Sequence, residues 1–460
     1  MAQDTGTIAD LVILGGGSGG YAAALRASQL GLSVVLIDKD KLGGTCLHRG
    51  CIPTKALLHA AEVADTARDA AEFGVIAQLD GIDMPKVNAY RDGVVGRLYK
   101  GLQGLVKSRD VTFVAGAGRM VAPDAIEVDG VTYRGRNIVL ATGSYARSLP
   151  GLEIGGRIMT SDQALNLDYV PKRAIVLGGG VIGVEFASIW GSFGTDVTIV
   201  EALPRLVPNE DESASKALER AFRKRGIGLT LGVRFQSAQQ TADGVQVRLE
   251  DGTTLDADLL LVAVGRGPNA EGMGFAENGV AMERGWVLVD ERLRTSVPGV
   301  FAVGDITPGL QLAHRGFQHG IFVAEEIAGQ DPMPIADVNI PRVTYCEPEV
   351  ASVGLTEAQA REKHGSAVSV YEYNLGGNGK SQILGTTGFV KLVQLTDGPV
   401  IGIHLVGSRM GEQIGEAQLI VNWEATAADV AELVHAHPTQ NEAMGEAHLA
   451  LAGKPLHAHA

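Results

Sequence analysis

Cysteine is scarce in this chain, three in 460 residues. So small a supply excludes a disulfide-stapled secreted scaffold. It also excludes a structural metal centre, because no second Cys/His pair stands at zinc-ligand spacing. No apolar run approaches the roughly 18 residues that span a bilayer, so no membrane segment is expected. Basic residues are outnumbered, 39 against 53 acidic, for a net charge of −14. With no basic run either, nucleic acid is a poor partner. The N-terminus is polar and carries Asp4 and Asp10, so we expect no secretory or transit peptide and a cytoplasmic enzyme. The length suggests two to four domains with ample core.

Glycine, by contrast, is abundant: there are 61, where average usage gives roughly 32. LVIL (11–14) reads as a short buried strand, followed by GGGSGG and a helical pattern through Leu30. Gly15, Gly17 and Gly20 give the spacing G-x-G-x-x-G. The first glycine allows a tight turn, the second lets the backbone approach a pyrophosphate, and the third permits close helix–strand packing. The helix N-terminus then offers free N–H groups to phosphates. SVVLID follows as a second strand, and Asp38 at its end is placed to accept ribose hydroxyls. The pattern recurs at AIVL, GGGVIG and DVTIVE, with Gly178, Gly180, Gly183 and Glu201. From first glycine to carboxylate is 23 positions in both copies, and from first glycine to helix-closing glycine (Gly31, Gly194) is 16. Two dinucleotide sites are expected in one chain.

Between them lies GGTCLHRGCIPTK, residues 43–55, with Cys46 and Cys51 five positions apart. A staple across so short a loop would stabilise little, and cysteine also serves as a small buried hydrophobe. A redox-active dithiol/disulfide beside two nucleotide sites explains the pairing better. Lys55 falls four residues after Cys51, on the same helical face. A thiolate at a helix N-terminus near positive charge has a lowered pKa suited to exchange.

We expect an α/β fold with two Rossmann-like dinucleotide-binding domains and a C-terminal α+β dimerisation domain. Residues 1–148 form the first unit, with a long helical region between Cys51 and Lys107 and the return strand NIVLATGS. Residues 149–270 form the second, ending in LLLVAVGRGPN read as one strand. Residues 271–341 are a return segment that completes the first domain and contains GVFAVGDI and LAHRGFQHG. Residues 342–460 hold antiparallel strands at TGFVKLVQ and VIGIHLVG, with helical stretches at 411–425 and 440–452.

These motifs, with ATGS (141–144), AVGRGPN, FAVGD, LAH, PEVASVGLTE and HAHPTQNE, resemble the disulfide-reductase flavoproteins, the class I pyridine nucleotide-disulfide oxidoreductases. Within them the chain looks like the dihydrolipoyl dehydrogenases of 2-oxo acid dehydrogenase complexes. The resemblance implies FAD at the first glycine loop, held by Gly15, Gly17, Gly20, Asp38, Lys39, Gly44, Thr45, Lys55, Gly118, Thr142, Gly143, Ser144, Asp305, Gln311, Leu312, Ala313 and His314. It implies NAD at the second, held by Gly178, Gly180, Val181, Ile182, Gly183, Glu185, Glu201 and Gly265. It assigns Cys51 to the flavin side and Cys46 to substrate exchange, with Lys55 paired to Glu185. It also implies a homodimer and, as partners, lipoyl domains and the acyltransferase core of those complexes. Two positions depart from the family pattern: His48-Arg49 replaces the usual Asn-Val between the cysteines, and His319 stands where Glu or Gln is usual.

Thiol–disulfide exchange needs a base, and histidine suits it near neutrality. The resemblance assigns that role to His437, with Glu442 holding the imidazole, and places it against the disulfide of the other subunit. His435 is expected to line the same loop. Cys346, in TYCEPEV and far along the chain from either motif, is expected in the core. A low-molecular-weight disulfide reductase of the glutathione or mycothione type is the alternative. It would prefer a phosphorylated nicotinamide or a different substrate; Glu201 opposes the ribose phosphate, although Arg205 stands nearby.

Overall fold

Leu11, Val12 and Ile13 are fully buried and Leu14 nearly so, because their strand runs through the middle of a mixed sheet, with parallel neighbours on both sides. The computed structural model describes residues 3–458. The first two and last two positions, and with them the outer ends of the spans expected for the first and last domains, lie outside the described residues. Strand Gln3–Leu14 extends well before the expected LVIL. It pairs in parallel with Val34–Asp38 on one side and Val131–Leu140 on the other. Thr112–Ala115 continues the sheet beyond Val34–Asp38. Val300–Ala302, from the return segment, pairs in parallel with Val131–Leu140.

The second nucleotide unit repeats this plan. Gly228–Leu231, Asp196–Glu201, Arg173–Leu177, Leu259–Val262 and Ile158–Thr160 form a five-stranded sheet, parallel throughout. LLLVAVGRGPN is not one strand as expected. It breaks after Val262, where Gly265 takes φ +104°, and Arg266–Pro268 turns to pair antiparallel with Ser144–Ala146 of the first unit. The helical region after Cys51 likewise divides. Cys51–Asp69 ends in a 3₁₀ turn closed by Gly74 at φ +76°. Met84–Ser108 then starts afresh, with the Asp83 carboxylate accepting from the Lys86 N–H.

From Arg342 onward the chain forms a five-stranded antiparallel sheet, in the order Arg342–Thr344, Glu349–Gly354, Val400–Gly407, Phe389–Leu395, Val368–Asn374. Helices Met410–Asn422 and Glu442–Leu451 pack on it, near the expected stretches. The fold class is as expected. No helix among the described residues is long and apolar enough to cross a membrane.

Candidate functional site

The two glycine loops are built alike at their first and third glycines. Gly15 and Gly178 take φ +113° and +112°, and a Cβ would lie 2.2 Å from Ala141 O and 2.3 Å from Ala263 O. At Gly20 and Gly183 it would lie 1.7 Å from Gly15 O and 1.9 Å from Gly178 O, so helix and turn meet backbone to backbone. The middle glycines differ in kind. A Cβ on Gly17 would meet nothing nearer than Gly44 Cα at 3.8 Å, and one on Gly180 nothing within 4 Å. Both cap helices, Ser18–Gln29 and Val181–Phe193, that have no side-chain cap. Free N–H groups behind a bare, open position are what a pyrophosphate requires. Both cradles therefore fit a dinucleotide. Val181 and Ile182 open the second helix, and Val181 is exposed at its mouth.

The carboxylates close each cradle. Asp38 Oδ2 accepts the Gly16 N–H at 2.5 Å and Oδ1 the Asp40 N–H at 2.7 Å. Glu201 Oε2 accepts from Gly179 at 2.6 Å and Oε1 from Leu203 at 2.8 Å. Lys39 is exposed just beyond Asp38.

Gly44 ties the cysteine loop to the first cradle: its Cβ would fall 2.6 Å from Gly17 Cα. Thr45 and Cys46 follow on the short helix Gly44–Arg49, and Cys51 opens helix Cys51–Asp69 after Gly50. Both cysteines are free thiols in this structure. Their mutual hydrogen bond, then Lys55, lowers the Cys51 pKa to about 7 against the effect of burial. The same hydrogen bond, with burial, pushes Cys46 up. Lys55 and the helix N-terminus favour the thiolate at Cys51 over Cys46.

Lys55 Nζ reaches both oxygens of Glu185, at 2.9 and 2.8 Å. Burial would lower the Lys55 pKa, but the Glu185 charge and hydrogen bond raise it. Glu185 is only 3% exposed and also accepts the Tyr345 N–H at 2.9 Å. Lys55 Nζ stands 4.8 Å from the Tyr345 ring centroid, a cation–π contact. Tyr345 was missed in the sequence. Its neighbour Cys346 is core, as expected, and its thiol donates to Pro348 O. Distance along the chain misleads here, because Cys346 packs in the same apolar cluster as Leu57, two residues from Lys55.

Two of the remaining first-site residues meet Asp305. Ser144 Oγ donates to its carboxylate at 2.6 Å, and Gln311 approaches its carbonyl at 3.5 Å. Thr142 Oγ1 donates to Asn269 O, and Gly143 O accepts the Asn269 N–H. Leu312 caps helix Ala313–Ile327, and His314 Nε2 bonds Pro341 O at 2.7 Å. That helix packs tightly on Ser18–Gln29, since a Cβ on Gly320 would lie 2.2 Å from Gly19 O. Gly265 O accepts the Arg147 N–H in the connection between units. Gly118 is occupied by packing: a Cβ there would strike Leu14 at 2.5 Å and Ile126 at 3.0 Å.

Both departures from the family pattern have local tasks. His48 Nε2 bonds Leu42 O at 2.8 Å and its ring meets Tyr99 edge-on at 5.0 Å, while Arg49 pairs with Asp40. His319 is buried, and its Nδ1 accepts the Gly304 N–H beside Asp305. Burial, then nearby Arg315, lowers its pKa to about 3, so it is neutral near pH 7.

His437 Nδ1 bonds Glu442 Oε1 at 2.8 Å. The other oxygen of Glu442 accepts the Thr439 N–H at 2.8 Å. Burial raises the Glu442 pKa, but the Thr439 and His437 hydrogen bonds outweigh it and hold the carboxylate ionised. The His437 side chain is 77% exposed, with Nδ1 turned to Glu442. His435 does line this loop, turned instead toward Glu416. Among the described residues, no cluster of His, Cys, Asp or Glu could hold a metal ion.

The chain matches known proteins along nearly its whole length. A family model described as pyridine nucleotide-disulphide oxidoreductase matches residues 9–320, and its dimerisation domain matches 340–448. Dihydrolipoyl dehydrogenase of Bacillus subtilis is 40% identical, across 97% of this chain and 99% of its own. Dihydrolipoyl dehydrogenase 1, mitochondrial, of Arabidopsis thaliana is 39% identical, across 97% and 91%. Among solved structures, LpdA of Mycobacterium tuberculosis superposes with a TM-score of 0.90 at 29% identity, covering 96% of this chain and 99% of its own.

Proposed function

Since the chain belongs to the pyridine nucleotide-disulphide oxidoreductase family, we propose that it oxidises protein-bound dihydrolipoamide to lipoamide and passes the electrons to NAD⁺. It is an oxidoreductase of the dihydrolipoyl dehydrogenase type, with FAD and NAD as cofactors. The observation that carries the reading is the pair of free thiols, Cys46 and Cys51, with Cys51 at a helix N-terminus that also bears Lys55, itself bonded to buried Glu185.

Bound in the first cradle, FAD supplies a two-electron link between the dithiol and the nicotinamide. The chain's own residues do the thiol chemistry. A substrate thiolate attacks Cys46 Sγ of the oxidised pair, the Cys46–Cys51 bond breaks, and Cys51 leaves as a thiolate steadied by Lys55. The second substrate thiolate attacks its partner sulfur, closing lipoamide and releasing Cys46. His437 takes the proton from the attacking thiol, and Glu442 stabilises the resulting imidazolium. The match to a dimerisation domain supports a homodimer. In it, the exposed His437 of one subunit would serve the cysteines of the other. Lipoyl domains and the acyltransferase core of 2-oxo acid dehydrogenase complexes are the partners this reading entails. A cytoplasmic setting, where thiols stay reduced, suits a catalytic pair.

The test is steady-state turnover of dihydrolipoamide with NAD⁺, beside glutathione disulfide with NADH and NADPH. Turnover confined to the first pair supports the reading, and preference for glutathione disulfide sinks it. His437→Gln should reduce dihydrolipoamide turnover by roughly 10² to 10⁴. NADH-dependent dye reduction, which bypasses thiol exchange, should survive.

A further inference from the structure

His437 is exposed and, among the described residues, its ring bonds through Nδ1 to Glu442 alone, so its place in space depends on the loop that carries it. That loop is held by one carboxylate at both ends. His435 Nε2 bonds Glu416 Oε1 at 2.9 Å, and the side-chain amide of Asn441 donates to Glu416 Oε2. Glu416 lies on a separate helix, Met410–Asn422. Its side chain is 25% exposed and that of His435 12%, so water competes weakly for these bonds. The His435 ring abuts the next helix at Gly445, where a Cβ would come 2.5 Å from Nδ1. Any larger residue there would lever the ring off Glu416. The hydrogen bond to Glu416 raises the His435 pKa against burial, which strengthens the contact with charge.

We propose that Glu416 is a positioning residue for the dithiol reaction, acting through His435 and Asn441 to hold His437 at the distance and angle that proton transfer needs. The inference rests on His437 being the base. Displacing a reacting group by an ångström costs up to about 100-fold in rate, without altering the group itself.

The test is a double-mutant cycle on the full-length flavoprotein, read by dihydrolipoamide oxidation with NAD⁺ and by NADH–dye turnover. Glu416→Ala should lower kcat for the dithiol reaction by about 10-fold to 100-fold, with KM little changed and dye turnover intact. Glu416→Gln, which keeps the shape but accepts at one atom only, should fall between, and it serves if the alanine variant does not fold. In a His437→Gln background, Glu416→Gln should cost almost nothing more, because the residue acts through one already removed. Equal losses in both backgrounds, or parallel loss of dye and dithiol turnover, would overturn the proposal. A fully active Glu416→Gln beside an inactive His437→Gln overturns this inference alone, while an active His437→Gln overturns the assignment of the base as well.

Discussion

Glu201 does at the second glycine loop what Asp38 does at the first. Each accepts the N–H of the residue after the first glycine, and each accepts the N–H two positions beyond itself. The loops are latched alike a second time, Gly16 O by the Gly43 N–H and Gly179 O by the Val207 N–H, both at 2.8 Å. The carboxylate thus fixes the turn before any ligand arrives and still has lone pairs to spare for a ribose.

That double duty bears on cofactor choice. Glu201→Ala should lose the brace, the ribose contact and the repulsion of a 2′-phosphate together. Hydrogen bonds to a charged group are worth about 1.5–3 kcal/mol, so KM for NADH should rise by roughly 10-fold to 100-fold. The NADH/NADPH ratio of kcat/KM should fall toward unity. A wild-type protein faster with NADPH than with NADH would contradict the assignment at once.

The cysteine pair predicts a titration. The Cys46 hydrogen bond and Lys55 hold the Cys51 pKa at about 7, so Lys55→Met should move it upward by removing the nearest positive charge. The measurement is ultraviolet thiolate absorbance of the reduced protein against pH, with Cys51→Ser subtracted. An unchanged midpoint would mean that Lys55 serves the fold through Glu185 and not the thiolate.

Much of this was legible in the sequence, for a physical reason. Gly15, Gly20, Gly178 and Gly183 lie where any Cβ collides with backbone, so their spacing cannot drift without wrecking the turn. Cys46, Cys51 and Lys55 likewise share one short segment, and His437 and Glu442 another. Tyr345 and Glu416 were invisible because their contacts are purely tertiary. Tyr345 meets Glu185 across 160 residues, and Glu416 meets His435 and Asn441 from another helix. Neither residue belongs to a pattern of its own. The break after Val262 was missed because the apolar run of a buried strand gives no sign of where its pairing partner changes.

A buried ionic network between the second nucleotide unit and the C-terminal sheet predicts acid sensitivity. Lys391 Nζ stands 2.8 Å from both Asp211 Oδ1 and Glu357 Oε2, and Asp211 is 2% exposed. Burial raises the Asp211 pKa, but His404 and Lys391 outweigh it and lower it to about 2. A depressed carboxylate stabilises the folded state above its unfolded value, about 4, and that contribution fades as pH falls through about 2. Asp211→Asn should therefore cost about 2 kcal/mol at pH 7, with Lys391 left one partner short. Its deficit relative to wild type should shrink between those two pH values. Denaturant unfolding across the range measures it, and a deficit independent of pH would place the effect in the helix cap that Asp211 also provides.

The exposure of His437 makes a prediction about assembly. Its dyad with Glu442 is complete within one chain, yet the imidazole is largely exposed. If it serves the cysteines of the other subunit, no single chain holds a whole dithiol site. A Cys46→Ser chain keeps its base, and a His437→Gln chain keeps its cysteines. Each homodimer should be inactive with dihydrolipoamide. Subunit exchange between equal amounts yields half heterodimers, each with one of two sites whole, so about a quarter of wild-type turnover should return if the sites are independent. A base acting within its own chain gives the opposite result, because in a heterodimer every site would then carry one lesion. Absence of recovery despite heterodimers demonstrated by differential tagging would therefore assign His437 to the cysteines of its own subunit.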